Sequence, residues 1–116
     1  MDMDIEKLQL KLREFAKERD WEQFHSPKNL AMALSVEAAE LLEIFQWSNS
    51  GGLDEIKDPN KRKEIEEEVA DIFNYLLKIC DELDIDLEKV ALEKIDINET
   101  KYPVEKFKGS SKKYNQ

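Results

Sequence analysis

The sequence predicts an all-α protein, a four-helix bundle. Three observations lead there. Apolar residues recur at three- and four-residue steps over most of the 116 residues, only 3 Gly and 3 Pro interrupt them, and Leu, Ile, Ala, Glu and Lys dominate. A chain of this length fits one compact domain, expected over residues 1–102, followed by a basic, mobile tail over 103–116.

The first helix is expected from about Asp4 to Asp20, where Ile5, Leu8, Leu12 and Phe15 mark an amphipathic face. Ser26 and Pro27 read as an N-cap and first helical residue, opening a second helix to about Ser48. Residues 49–58, with Gly51 and Gly52, form a loop. Asp58 and Pro59 repeat the start signal for a third helix, carried by Ile65, Val69, Ile72, Leu76 and Ile79 to about Leu83. Asp84 or Asp86 caps a fourth, in which Leu87, Ala91, Lys94 and Asn98 share one line. Pro103 stops it, and Gly109, Ser110 and Ser111 suggest a mobile segment.

Helix two is apolar nearly all round: Leu30, Met32, Leu34, Val36, Leu41, Leu42, Ile44 and Phe45. One bundle cannot cover every side of it, so a second copy of the chain is the expected cover, as a homodimer or homotetramer. The net charge of −9 argues against a nucleic-acid backbone as partner, although residues 101–116 carry +4 against −13 on the remainder. Cys80 is alone, so no intramolecular disulfide is expected, and its apolar neighbours suggest a core thiol. With no signal-like N-terminus and no apolar run long enough for a membrane span, the expected location is the cytoplasm.

The chemistry lies in four acids. Glu37 and Glu40, then Glu68 and Asp71, are each three residues apart and each pair interrupts an apolar stripe. That step places both carboxylates of a pair on one helical face, so two antiparallel helices can aim four acids into one pocket. Burying an unpaired carboxylate costs several kcal/mol, so the pocket requires protons or cations. All-oxygen ligands favour Mg²⁺, or Mn²⁺ in its place, over Zn²⁺, and Mg²⁺ gains further ligands from substrate phosphates. A di-iron site would need E-x-x-H motifs, and His25 is the only histidine. The competing reading is a solvated acidic face on a non-catalytic helical interaction protein.

The pairs Glu37-Ala-Ala-Glu40 and Glu68-Val-Ala-Asp71 resemble the E-x-x-E and E-x-x-D signature of the MazG-like all-α nucleotide pyrophosphohydrolases. The strings RDWEQFHSPKNL, ELLEIFQW, DINETKYP and KGSSKKY are similar to the dCTP pyrophosphatase branch, from about Phe15 to Tyr114. The resemblance implies Mg²⁺ held by all four acids, hydrolysis of a nucleoside triphosphate to monophosphate and pyrophosphate, and a dimer or a dimer of dimers. It implies dCTP or modified dCTP as substrate, in nucleotide-pool housecleaning. It also implies that Trp21 and Trp47 wall the base pocket with His25 nearby, that Tyr75 lies beside the sugar, and that Lys94 and Asn98 contact phosphate or ribose. On their own terms the tryptophans read as packing residues and His25 as a turn histidine, while Tyr75 either packs or lines the pocket and Lys94 either pairs with a carboxylate or contacts phosphate. Leu12 stands where animal dCTP-cleaving members can carry a polar ring residue, which leaves broad or non-cytosine specificity as the alternative.

Overall fold

The computed structural model describes residues 2–112; residues 113–116 of the basic tail, Lys113 among them, lie outside the described residues. The described chain is all-α, with two compact units, Met1–Asp84 and Ile85–Gln116.

In the first unit, α1 spans Ile5–Glu18 and is capped by Asp4, whose carboxylate accepts the Lys7 N–H at 3.0 Å. It ends two residues before the expected Asp20, because Asp20 turns left-handed at φ 55° and the Trp21 N–H returns to the Ala16 carbonyl at 2.9 Å. A 3₁₀ turn over Glu22–Phe24, not foreseen from the sequence, follows. The Asn29 amide donates to the Phe24 carbonyl at 2.9 Å and fastens this turn to the next helix.

Helix α2 covers Pro27–Ile44, with Ser26 Oγ accepting the Asn29 N–H at 3.1 Å. It stops short of the expected Ser48. Phe45, Gln46 and Ser48 donate to carbonyls three residues back, a tightening that ends the α-helical ladder. In the following loop, which holds a 3₁₀ turn over Leu53–Glu55, the Glu55 carboxylate accepts the Ser48 hydroxyl and the Asn49 and Ser50 N–H groups.

Helix α3, Pro59–Leu83, starts at the Asp58 cap as expected and closes on Asp84 in the left-handed region, φ 53° and ψ 48°. It runs antiparallel to α2: Leu30, early in α2, shares a cavity with Lys78 and Asp81, while Glu37 meets Glu68. The unit's core is Ala16 from α1, Leu30 from α2, and Leu77 and Cys80 from α3. Cys80 is therefore the core thiol expected. Arg13 clamps Asp81 with two bonds of 2.6 and 2.9 Å, and Gln9 donates to the Leu77 carbonyl at 3.1 Å, setting α1 against α3.

In the second unit, α4 spans Leu87–Lys101, with Asp86 accepting the Lys89 N–H at 3.1 Å. After Pro103 a short helix, α5, Val104–Phe107, lies within the segment expected as tail. Proline's preset φ of −60° starts it, and the Tyr102 and Phe107 rings meet edge to face at 4.9 Å.

Candidate metal centre

Helix pairing brings three of the four acids together. One oxygen from each of Glu37, Glu40 and Glu68 lies within 4.8 Å of the others. Glu37 sits one turn before Glu40 on α2, and Glu68 reaches them from the antiparallel α3. Asp71 occupies the next turn of α3 and lines a cavity beside the cluster.

Glu37 Oε2 and Glu68 Oε2 are buried and have no hydrogen-bond donor. Burial and the neighbouring Glu68 and Glu40 carboxyls push the Glu37 pKa up to about 7. A proton shared between Glu37 and Glu68 relieves the crowding in acid, whereas a cation answers both orphaned oxygens at neutral pH. The donor set is all oxygen and the cluster is consistent with a divalent metal site.

Two cavities flank the cluster. One, of about 460 Å³, is lined by Glu40, Glu43, Glu64 and Glu68. The other, of about 350 Å³, lies between α1 and α3, with Phe15, Trp21 and Tyr75 supplying rings and Asp71, Asn74, the half-buried Lys78 and the exposed Lys11 supplying polar groups. Phe15 and Trp21 meet edge to face at 5.8 Å, and the Arg19 guanidinium covers Phe15 at 3.6 Å. Burial and then the charges of Glu37, Asp71 and Glu40 push the Tyr75 phenol up, so Tyr75 links this cavity to the acids.

Of the residues singled out in the sequence, Trp21, Tyr75 and Asp71 therefore share one cavity. Leu12 lines it too, and also a neighbouring cavity of about 200 Å³ that holds His25 with Arg13 and Asp81. Burial and then Lys78 lower the His25 pKa. Trp47 follows the end of α2, is 89% exposed and lines none of these three cavities. Lys94 and Asn98 lie on α4, in the second unit, one turn apart and exposed. Sequence reasoning passed over Asn74, Lys78 and Glu55. Lys78 had a signal, since it continues the face of Glu68, Asp71 and Tyr75 at helical spacing.

An antiparallel helix pair that brings Glu37 and Glu40 of one helix to Glu68 of the other defines an all-α protein with a carboxylate cluster consistent with a divalent metal site. The chain belongs to the MazG-like family, whose model matches residues 32–116. The dCTP pyrophosphatase 1 of Homo sapiens is 42% identical over 104 residues, which is 89% of this chain and 61% of that protein. That of Bos taurus is 43% identical over 102 residues, 87% of this chain and 60% of that protein. The chain thus spans less than two thirds of the length of these curated relatives. The crystal structure of a pyrophosphatase from Archaeoglobus fulgidus is 43% identical, with a TM-score of 0.77 over 89% of this chain and 95% of that one.

Proposed function

We propose that this chain is a Mg²⁺-dependent nucleoside triphosphate pyrophosphohydrolase that converts a (d)NTP to the (d)NMP and pyrophosphate, favouring dCTP or modified dCTP, in nucleotide-pool housecleaning. The observation that carries this reading is the Glu37, Glu40 and Glu68 cluster with two buried, unpartnered oxygens, in a chain similar to dCTP pyrophosphatases.

Glu37, Glu40, Glu68 and Asp71 would hold the metal, with Mn²⁺ able to replace Mg²⁺. When bound, the ion supplies positive charge against the phosphate oxygens and acidifies water. The chain's own residues do the rest. A carboxylate oxygen of the cluster accepts a proton of the attacking water, the water oxygen bonds to the phosphorus attacked, and the P–O bond of the anhydride joining the α and β phosphates breaks, so that the monophosphate and pyrophosphate separate. Trp21 offers a stacking face to the base and Tyr75 stands between base and acids. His25, Trp47, Lys94 and Asn98 take the substrate-facing roles that the family resemblance implies.

The catalytic domain is residues 1–102, with 103–116 a basic tail. The active assembly is a homodimer or homotetramer joined through α2, where Met32 and Val36 are each 56% exposed and Leu42 71%. Among the described residues no helix is long and apolar enough to cross a membrane. A cytoplasmic enzyme that binds no nucleic acid is the reading that fits its acidity.

A panel of triphosphates with product identification tests this. Pyrophosphate and a monophosphate are expected with Mg²⁺, and Glu40→Gln is expected to abolish their release while circular dichroism stays helical. Undiminished turnover in Glu40→Gln refutes the metal role. A wild-type protein that cleaves no triphosphate, and whose melting temperature Mg²⁺ leaves unchanged, is the non-catalytic helical protein instead.

A further inference from the structure

Of the two lysines lining the cavity between α1 and α3, Lys11 is exposed, and the other is a half-buried basic group that no part of the metal chemistry uses. The Lys78 amino group stands 4.7 Å from the centroid of the Tyr75 ring, on the wall of that cavity. It is half-buried, and among the described residues no carboxylate pairs with it. Desolvation lowers its pKa, with only the charge of Asp71 opposing. A desolvated amine without an ion-pair partner, facing empty space between aromatic rings, is a donor held ready for a ligand acceptor.

Its place along α3 indicates which part of the ligand it meets. Glu68, Asp71, Tyr75 and Lys78 ascend one face of the helix, so about 15 Å of helix axis separates Glu68 from Lys78. Phosphates held at Glu68 leave the nucleoside to extend past Tyr75. Phe15 and Trp21 supply flat apolar surface at that far end, which suits a base rather than another phosphate. Asn74, in the same cavity, offers both a donor and an acceptor, whereas Lys78 only donates.

We propose that Lys78 is a specificity-determining residue that, with Asn74 beside it, donates a hydrogen bond to a keto oxygen of the base, so that the cavity selects a keto-bearing pyrimidine over adenine. This rests on the reading of the chain as a nucleoside triphosphate pyrophosphohydrolase. The amine replaces part of the water shell of the keto oxygen, and the rings hold the base in the plane where that bond forms. Adenine carries no keto oxygen, whereas cytosine carries one at C2, so adenine leaves the Lys78 donors without that acceptor.

The test compares dCTP with inorganic tripolyphosphate, which has no base and reaches only the acid end. Lys78→Met keeps an unbranched stem against Tyr75 and removes the donors. It is expected to raise KM for dCTP about tenfold or more, with kcat within about threefold and the inhibition constant of tripolyphosphate unchanged. Lys78→Arg, which restores donors, is expected to recover most of the loss. An unchanged KM in Lys78→Met overturns the proposal, and a parallel loss of tripolyphosphate binding overturns it by placing Lys78 on the phosphates. Wild-type protein supplies a check independent of any variant: dATP is expected to compete with dCTP at least about tenfold more weakly than dCTP itself binds. Equal binding of dATP overturns the inference while pyrophosphate release still supports the enzyme. Release from no triphosphate removes the enzyme reading and this inference together.

Discussion

Glu37 and Glu55 are displaced to opposite sides of the ordinary carboxylate range, and the contrast separates a crowded acid without donors from a hydrogen-bonded brace. The Ser48 hydroxyl, joined by the Ser50 and Asn49 N–H groups, pulls Glu55 down to about 2. Its contribution to stability is present above the usual 4.5 and fades as pH falls towards 2. Glu37 has no such donors, and burial against Glu68 and Glu40 raises it to about 7. The folded state then holds a proton that the unfolded chain releases near 4.5, so stability is lost as pH rises from 4.5 through 7. In chelator, the melting temperature is expected to fall across that window, and Glu37→Gln is expected to flatten the fall. Divalent metal competes with the proton, so Mg²⁺ should raise the wild-type melting temperature more at pH 8 than at pH 5. An equal rise at both would show that the ion does not replace the Glu37 proton. The meeting of Glu37, Glu40 and Glu68 was legible in the sequence because a three-residue step recurs inside two apolar stripes, whereas Asp71, one turn further on, lines the neighbouring cavity. For Lys78 the helical spacing shows only that it shares the face of these acids; one lysine among apolar residues still reads as a solvated side chain until α1 is seen to line the same cavity.

At the scale of the element, helix starts were readable and helix ends were not. Asp4, Ser26, Asp58 and Asp86 each accept a backbone N–H of their own first turn, a bond that needs only local residues. The ends of α1 and α2 depend instead on a left-handed Asp20 and on three-residue hydrogen bonds after Leu42, neither of which has a glycine to announce it. Helix α5 was hidden for a related reason: the proline that stops α4 also starts a new turn. The Ser26 cap fixes the entry of α2 directly after His25. Ser26→Ala is expected to lower unfolding stability by about 1 kcal/mol in a denaturant titration. The Asn29 side chain still fastens the turn through Phe24, so the helix should persist. A loss below about 0.3 kcal/mol would mean that Asn29, not the cap, holds the junction.

For the whole molecule, the question is what covers α2. One side of this helix supplies Leu30 to the core and Glu37 to the acid cluster, yet Met32, Val36 and Leu42 remain more than half exposed. A chain of net charge −9 has polar residues enough to have placed some there, and an apolar strip on a helix that carries two acids of the cluster is the kind of surface that a contact would cover. A second copy is the simplest occupant, since a two-fold axis lets the same strip cover itself. The same contact would hold Glu37 and Glu40 in place, because both project from the helix so clamped. Sedimentation at micromolar concentration is therefore expected to give a mass at least twice the 13.7 kDa of the chain. Met32→Glu combined with Leu42→Glu should return it to 13.7 kDa with helical circular dichroism retained, as two carboxylates buried in an apolar contact cost several kcal/mol. A monomeric wild-type protein would end the self-association argument and leave α2 covered by some other partner.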